Sequence, residues 1–307
     1  MYYIIFAFWY IFSLLPFRVH YVISDILYFF IYRIAGYRKK VVRNNLSTSF
    51  PEKSDAELRH IEHGFYHWFC DYIVETVKMF SISRDEMRRR MQFEGVEQLN
   101  AELDNGRDIT IYLGHYCNWE WISSLPLHVK DKGTFAQLYH PIENKSIDKL
   151  FLRSRERFGA HSLIMKEAFS ILRQWKKEGR LSVTGYISDQ VPGFSSMHYW
   201  PTFLHHETPT YTGAERIARL LNTSVYYLDI YRPRRGYYVA KVIKMCDDLE
   251  NVPKFAITEK YYRLLEESIM RNPEYWLWSH NRWKRKWKDF VDYFPDEKER
   301  ERILNKL

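Results

Sequence analysis

The sequence predicts an α/β fold in which helices flank a sheet. Three observations support this prediction: short β-branched or apolar runs recur along the 307-residue chain, helical patterns lie between them, and no interior linker rich in Pro, Gly or Ser divides the chain. Alternation of strands and helices is typical of an α/β domain. We therefore expect a single large domain over residues 37–307, preceded by an apolar segment over residues 1–36.

The apolar segment begins with a run that carries no charged residue until Arg18. As a helix this run would be about 25 Å long, which is the lower limit for crossing a bilayer. Basic residues follow it closely: Arg33, Arg38, Lys39, Lys40 and Arg43. Such a cluster tends to keep the domain that follows on the cytoplasmic side. We expect residues 1–36 to form a hydrophobic membrane-anchoring helix, with a buried core helix as the alternative.

The elements of the main domain can be predicted in order along the chain. Capping boxes at Ser54–Glu57 and Thr212–Glu215 predict two helix starts, and the first helix should run towards Phe80. Three charged residues of that first helix are interpreted as a solvent-exposed face: Asp71, Glu75 and Lys78. Further helices are predicted from residue 118 and over residues 147–159, 166–177 and 255–269, and strands over residues 109–113, 135–139, 181–187, 225–231 and 237–243.

The stretch Ile109–Trp121 contains the first candidate catalytic residues. Its strand ends at a glycine, His115 follows at once, and Asn118 is placed to begin a helix whose first turn carries Glu120. At such a turn a carboxylate can hold one imidazole nitrogen as N–H and leave the other free to accept a proton. We expect His115 to act as a general base with Glu120 as its orienting partner. The alternative is a surface histidine beside a helix-start glutamate.

Two further groups of polar residues follow along the chain. Ser188–Gln190 comes directly after the predicted strand over 181–187, and an arginine group occupies positions 153, 155 and 157. Because ligands gather at the carboxyl ends of strands in open α/β sheets, we expect His115 and Asp189 to line one shared cleft. The arginines are expected either to bind an anionic group or to form an exposed basic helix surface.

The tail Asn272–Trp287 interleaves tryptophans with basic residues, which is typical of membrane interfaces and of nucleic-acid binding. Its tryptophans and the cations in and just after it are Trp276, Trp278, Trp283 and Trp287, with Arg282, Lys284, Arg285, Lys286 and Lys288. The net charge of +8 favours an anionic partner, and the aromatic share of 18% suits a boundary between water and lipid. We expect this segment to face the membrane, the alternative being buried tryptophans with only the charges exposed.

Several chemistries find no support in the sequence. The three cysteines, Cys70, Cys117 and Cys246, form no C-x-x-C motif, which argues against a structural zinc site. The chain contains no G-x-S-x-G, P-loop, G-x-G-x-x-G or H-E-x-x-H motif. A histidine base, an arginine group and an apolar anchor suit acyl transfer from a carrier thioester to a lipid hydroxyl. That reaction needs no metal or cofactor, because the thioester is already activated.

Six blocks, in order along nearly the whole chain, carry a resemblance to a known family. They are Y-R-K-K-V-V-R-N-N-L (37–46) with S-F-P-E-K-S (49–54), G-H-Y-C-N-W-E (114–120), R-E-R-F-G (155–159), S-D-Q (188–190), T-G-A-E-R-I-A (212–218) and W-L-W-S-H-N-R-W-K (276–284). On these blocks the sequence resembles the late acyltransferases of lipid A biosynthesis, the lauroyl/myristoyl acyltransferase family. Such enzymes are similar in fold to the glycerolipid acyltransferases, so the resemblance implies a mixed sheet flanked by helices.

The resemblance also implies a site and partners. The family's H-x4-D/E motif falls on His115 and Glu120, its arginine on Arg155, with Arg153 and Arg157 as rivals, and its strand-end aspartate on Asp189. We expect these to be the catalytic residues. The residues expected to bind substrate are Asn118, Arg153, Arg157, Gln190, Arg282 and Lys284. The implied reaction moves an acyl chain from acyl carrier protein to a lipid A precursor at the bacterial inner membrane, with the active site on the cytoplasmic face.

Two other functions stay open at this stage. An acyltransferase for another lipid acceptor, such as an aminolipid or a glycerophospholipid, would use the same site. A catalytically inactive membrane-surface protein would keep the fold and the basic tail, but the intact His115 and Glu120 argue against it. Nucleic-acid binding is not expected, because the apolar N-terminal segment would have no role in it.

Overall fold

The computed structural model describes residues 2–130, 132–246, 248–304 and 306. The α-helices are α1 (Tyr2–Leu14), α2 (Phe17–Tyr28), α3 (Lys39–Ser49), α4 (Asp55–Lys78), α5 (Arg84–Arg90), α6 (Val96–Asp104), α7 (Lys145–Arg155), α8 (Ala168–Lys177), α9 (Gly213–Leu221), α10 (Ala256–Arg271), α11 (Trp287–Tyr293) and α12 (Glu297–Leu304). The strands are β1 (Met91–Glu94), β2 (Ile109–Leu113), β3 (Gly133–Tyr139), β4 (His161–Ile164), β5 (Leu181–Ile187), β6 (Thr202–Phe203), β7 (His206–Glu207), β8 (Ser224–Arg234) and β9 (Tyr237–Lys244).

A mixed sheet forms the centre of the fold. Within the described residues its seven strands run in the order β1-β9-β8-β2-β5-β3-β4, and a separate hairpin joins β6 to β7. Only the β8–β9 pair in the large sheet is antiparallel; the other neighbours are parallel. Every residue of β2 is buried, as expected for a central parallel strand covered on both faces. The predicted α/β class with a mixed sheet is confirmed.

Most of the predicted elements are present, and several short ones were missed. The predicted strand over residues 181–187 coincides with β5, and the helix opened by the Ser54 capping box is α4. The short strands β1 and β4 had no alternating pattern long enough to predict. The helix starts predicted after Asn118 and Thr212 are both present, but they differ from the prediction in detail. The helix after Asn118 is a 3₁₀ helix, Trp119–Leu127, and α9 follows Thr212 without a side-chain cap, so the capping box predicted at Thr212–Glu215 is absent.

The register of the two central strands positions the site. β2 and β5 are parallel neighbours in which Leu113 lies opposite Ile187. His115 and Asp189 each lie two residues beyond the end of their strand, so the same register places them side by side. This agrees with the expectation that the two residues line one cleft. Gly114 allows this approach, because a Cβ there would lie 2.6 Å from Leu265 and 3.5 Å from the Asp189 carboxylate.

Helix α4 packs into the core with charged residues that were interpreted as solvent-exposed. That interpretation is wrong, because Asp71, Glu75 and Lys78 are all buried. Asp71 forms ion pairs with Arg232 near the end of β8 and with Arg235 in the turn that follows. Glu75 accepts a hydrogen bond of 2.7 Å from the Asn118 side chain. Lys78 donates to two backbone carbonyls near the end of α1. The helix therefore ties the N-terminal segment and the site to the sheet.

The N-terminal segment comprises α1, α2 and a π-helical continuation, Phe29–Ile34. α2 packs along α4, and α1 contacts both α4 and α7. No single helix in the described ranges is both long and apolar enough to cross a membrane. The segments Tyr2–Leu14 and Phe17–Ile34 meet that criterion of length and composition only as a pair bent by 113°. A single anchoring helix is therefore not confirmed, and the division of the chain at residue 36 stays a prediction.

Candidate active site

His115 and Asp189 form the centre of the candidate site. The ring Nδ1 of His115 lies 2.6 Å from Oδ1 of Asp189, and the backbone N–H of His115 donates to Oδ2 over 2.9 Å. Asp189 is buried, and the His115 side chain is 18% exposed. Since the carboxylate accepts the proton on Nδ1, the other ring nitrogen, Nε2, is left unprotonated and can accept a proton.

Trp276 is a third member of this arrangement. Its indole N–H donates to Oδ2 of Asp189 over 2.8 Å, and its ring is buried. Burial raises the pKa of Asp189, but the charge of His115 and the hydrogen bonds from His115 and Trp276 outweigh it and hold the pKa at about 2. Asp189 is therefore a fixed carboxylate at neutral pH.

Glu120 does not orient His115, contrary to the sequence prediction. Both of its carboxylate oxygens are bound by Arg155, through Nε at 2.7 Å and Nη2 at 2.6 Å. Burial raises the pKa of Glu120, but the guanidinium outweighs burial and lowers it below its usual value. Glu120 is thus a buried anion held in a two-pronged ion pair.

The carboxylate that holds His115 is therefore Asp189, and Glu120 holds Arg155 instead. The reason is geometric: His115 and Asp189 both follow ends of paired parallel strands, whereas Glu120 lies in the 3₁₀ helix and meets the end of α7. Such cross-chain distances cannot be read from spacing in a single sequence.

Of the three candidate arginines, only Arg155 lies in the site. Arg153 is placed over the ring of Phe6 in α1, at 4.2 Å, and Arg157 donates to the backbone carbonyls of Met79 and Ile82. Because of these contacts, the side chains of Arg153 and Arg157 lie outside the site.

Asn118 is buried, and both polar atoms of its side chain form hydrogen bonds within the protein. Its amide oxygen accepts the backbone N–H of Trp121, which caps the 3₁₀ helix, and its amide nitrogen donates to Glu75. The predicted role of Asn118 in starting a helix is confirmed. Asn118 is not among the residues that line the cavity described below, so its contact with substrate stays a prediction.

Gln190 reaches the free nitrogen of His115. Its side-chain amide nitrogen lies 3.2 Å from His115 Nε2, in the position that a substrate hydroxyl would need. The next residue, Val191, donates its backbone N–H to the ring of His280 over 3.3 Å. Burial and the neighbouring Arg282 lower the pKa of His280 to about 4, so this histidine is neutral at pH 7.

A largely apolar cavity of about 360 Å³ extends from these groups across the sheet. Its polar end is lined by His115, Glu120, Arg155 and Gln190. Its walls come from β2, β3 and β5 and from the 3₁₀ helix, and include Ile111, Leu113, Phe135, Val183, Ile187 and Leu125. The volume lies within the usual range for small-molecule sites, about 300–1,000 Å³. The cavity can hold an apolar chain whose reactive end meets the histidine.

The basic and aromatic tail is divided between core and surface. Trp276 and Trp278 are buried, so the expectation that the four tryptophans face a membrane is wrong for these two. Arg282 is also fully buried and donates to the Pro209 carbonyl and the Tyr262 hydroxyl, away from the lining of the cavity. Lys284 is exposed.

Sequence reasoning missed several contributors to the site. Trp276 was noted only as an interfacial tryptophan, and Tyr72, whose hydroxyl donates to Glu120 over 3.4 Å, was not noted. Tyr211, which lines the cavity, was also missed. No signal in a single sequence pointed to these contacts. Across the described part of the chain, no three His, Cys, Asp or Glu side chains are grouped as metal ligands would be.

Comparison with known proteins identifies the class. The family described as bacterial lipid A biosynthesis acyltransferase matches residues 1–285. The lipid A biosynthesis lauroyltransferase of Escherichia coli (strain K12) is 25% identical, over 80% of this chain and 79% of that protein. The palmitoleoyltransferase of the same strain is 22% identical over 80% and 79%. A lipid A biosynthesis acyltransferase of Haemophilus influenzae (strain ATCC 51907 / DSM 11121 / KW20 / Rd) is 23% identical over 87% and 81%.

A histidine held by a carboxylate at the mouth of an apolar cavity, in a chain whose relatives are acyltransferases, makes this protein an acyltransferase. Since the family match covers residues 1–285 of the 307, the chain belongs to the bacterial lipid A biosynthesis acyltransferase family. The resemblance drawn from the sequence blocks is confirmed.

Proposed function

We propose that the protein transfers a fatty acyl chain from an acyl carrier protein thioester to a hydroxyl of a lipid A precursor, with His115 as the general base. The observation that carries this proposal is the position of His115. Its Nδ1 is fixed by Asp189 while Nε2 lies at the polar end of the apolar cavity. Family membership supports the acceptor class, because the relatives are named for lipid A biosynthesis.

The reaction follows from these contacts. The acceptor hydroxyl attacks the thioester carbonyl, and its proton passes to Nε2 of His115. The resulting tetrahedral oxyanion collapses, the C–S bond breaks, and the imidazolium returns the proton to the leaving thiolate. Asp189 stabilises the imidazolium that forms, as a buried carboxylate beside Nδ1. No bound cofactor is needed for this sequence of steps.

Gln190 and Arg155 supply polar groups beside the reacting atoms. The Gln190 amide must leave Nε2 when the hydroxyl arrives, and from there it can donate to the carbonyl oxygen as charge develops. Arg155 commits Nε and Nη2 to Glu120, which fixes the plane of its guanidinium at the wall of the cavity. The ion pair keeps a cation in this apolar site without leaving Glu120 unpaired.

The N-terminal segment supports a membrane partner. α1 and α2 with its π-helical continuation expose large apolar side chains at helical spacing, among them Ile4, Phe8, Ile11, Val22, Ile26 and Phe29. α1 also contacts α7, the helix that ends at Arg155. An apolar surface beside the site would let a lipid acceptor reach it from the inner membrane, with the catalytic domain on the cytoplasmic face.

The proposed function is tested by reconstitution. Purified protein is mixed with a long-chain acyl carrier protein thioester and an acylated, phosphorylated glucosamine disaccharide, and the product is analysed by mass spectrometry. The expected product is the acceptor plus one ester-linked acyl chain. A parallel reaction with a glycerophospholipid acceptor tests the alternative acceptor, and acyl-coenzyme A tests the alternative donor. Transfer to the glycerophospholipid alone, or no transfer to either acceptor, would overturn the proposal.

A further inference from the structure

A glycine lies in the wall of the cavity where a side chain would be expected. Gly185 is in the middle of β5, a central strand, yet it is more exposed than the buried residues on either side of it. Its φ is not in the left-handed region, so its backbone conformation is open to other residues. Glycine weakens the interior of a strand and often marks a place where a ligand comes close.

The sheet register shows which face the missing side chain would occupy. Ile111 of β2 and Gln137 of β3 lie opposite Gly185 on either side, and both line the cavity. The three residues therefore form one row across the cavity wall, in which only the central position lacks a side chain. Gln137 donates its amide to Ser162 over 3.3 Å.

Space for a larger residue is present at this position. A Cβ built on Gly185 would meet only ordinary contacts, 3.7 Å to the Ala136 carbonyl and 3.8 Å to a methyl group of Leu113. Leu113 lines the cavity, so the Cβ would point to the cavity side of the sheet. By contrast, a Cβ at Gly114 would lie 2.6 Å from a methyl group of Leu265, which is too close for a side chain. The gap at Gly185 is thus an open part of the cavity.

The row also has a defined depth. Ile111 lies two residues before the end of β2, which corresponds to about 7 Å along the strand at roughly 3.3 Å per residue, and His115 follows two residues after that end. The next row inward contains Val183 and Phe135, which lie opposite each other and also line the cavity. An apolar chain that starts at His115 must pass the gap at Gly185 before it reaches this inner row.

We propose that Gly185 determines how long an acyl chain the cavity accepts, because the missing side chain opens the passage from its outer half to its inner half. This inference rests on the proposed acyl transfer and assigns a specificity residue to it. A branched side chain at position 185 would fill the passage, so that short chains would still fit and long chains would not.

The test compares two donors in Gly185→Val, Gly185→Ala and wild type. We measure kcat/KM for palmitoyl and octanoyl carrier protein thioesters and compare the ratio of the two values. Gly185→Val is expected to lower the palmitoyl-to-octanoyl ratio by about tenfold or more, as a pocket closed to part of a chain does. Gly185→Ala should lower it less. Thermal unfolding checks the fold, and the alanine variant decides the question if the valine variant does not fold.

Thr184→Val is the matched control on the same strand. Thr184 faces the opposite side of the sheet, and its buried hydroxyl has no hydrogen-bond partner within the described residues. This change should leave the ratio as in wild type. An unchanged ratio in folded Gly185→Val, or an equal fall in Thr184→Val, would overturn the inference.

A binding measurement separates failure of this inference from failure of the proposed function. Palmitate and octanoate are used to displace a fluorescent long-chain fatty acid from each variant. If wild type transfers no acyl chain but binds palmitate, and Gly185→Val loses palmitate alone, the proposed reaction fails and the role of Gly185 stands. If both proteins bind palmitate equally, the role of Gly185 fails whatever the activity of wild type.

Discussion

His115 is bound to Asp189 through both its ring and its backbone. Nδ1 lies 2.6 Å from Oδ1, and the backbone N–H donates to Oδ2 over 2.9 Å. The double contact fixes the strand-end turn and the imidazole together. It also assigns the orienting role to Asp189, a residue 74 positions away along the chain, rather than to the nearby Glu120.

Trp276→Phe should slow turnover without weakening substrate binding. The change removes the indole N–H that donates to Asp189 Oδ2 but keeps an aromatic ring in the buried site. A hydrogen bond to a charged group is worth about 1.5–3 kcal/mol, so we expect kcat to fall by about tenfold with KM unchanged. Steady-state kinetics at saturating donor measure both values.

Trp278→Phe is the control for that change. Trp278 is equally buried, but its indole N–H donates to the Pro273 carbonyl rather than to the site. Its variant should lose some stability and keep its kcat. Equal losses of kcat in the two variants would mean that Trp276 supports only the packing of this region.

Arg155→Lys should lower kcat/KM by about tenfold or more. An ammonium group cannot reproduce the two parallel hydrogen bonds that the guanidinium makes to Glu120.

Glu120→Gln should also destabilise the protein, since loss of one partner of a buried ion pair costs about 3–5 kcal/mol. Because the two residues are in contact, the double variant Glu120→Gln/Arg155→Gln should be less destabilised than the sum of the two single changes.

The neighbouring arginines test whether Arg155 is the correct choice. Arg153→Lys and Arg157→Lys should keep the kcat/KM of wild type, because these residues contact α1 and backbone carbonyls instead of the cavity. Full activity in Arg155→Lys with a loss in either neighbour would assign the role to that neighbour.

His280 should make stability depend on pH in mildly acidic solution. Burial and Arg282 lower its pKa in the folded protein from the ordinary 6.5 to about 4. As pH falls, the unfolded chain therefore binds a proton before the folded protein does. The stability that comes from keeping His280 neutral is fully present above pH 6.5 and is lost between pH 6.5 and 4. Its size is on the order of 3 kcal/mol.

Denaturant unfolding at a series of pH values measures this effect. His280→Gln can still accept the Val191 N–H but cannot be protonated, so its free energy of unfolding should fall less steeply over that window. His60→Gln, a change at an exposed histidine, should follow wild type. If the free energy of unfolding of His280→Gln fell with pH as steeply as that of wild type, a group other than His280 would be responsible.

The exposed lysines of the tail should affect the lipid acceptor. We propose that the surface formed by Lys284, Lys286 and Lys288 binds the anionic acceptor, since each cation near an anionic lipid surface contributes about 1 kcal/mol. Replacing all three by Gln should raise KM for the acceptor and leave KM for the acyl donor nearly unchanged. The reverse pattern would assign this surface to the acidic carrier protein. Arg285 is left in place because it holds the Pro192 carbonyl.

Local sequence patterns predicted much of the fold. The run over residues 181–187 is bounded and apolar enough to define β5, and the Ser54 capping box marks the start of α4 because its contacts lie within one turn. β4 could not be predicted, because four residues carry no clear period. The buried charges of α4 could not be recognised either, since Asp71 is neutralised by arginines more than 160 positions away.

The sequence indicated four residues that the structure brings together, His115, Glu120, Arg155 and Asp189, but it did not indicate how they pair. Strand ends indicated that His115 and Asp189 would share a cleft, and the register of β2 and β5 confirms it. The partner of Glu120 depends on where α7 ends relative to the 3₁₀ helix, which is a tertiary distance. The depth of the cavity likewise depends on which residues of neighbouring strands lie side by side, as at Gly185.

One reaction rate tests the role of His115 as the general base. Acyl transfer from carrier thioester to lipid acceptor is measured for wild type and His115→Ala, with thermal unfolding of both to check the fold. If His115 accepts the hydroxyl proton, turnover should fall by about 10²-fold or more in a folded variant. Turnover near that of wild type in folded His115→Ala would contradict it.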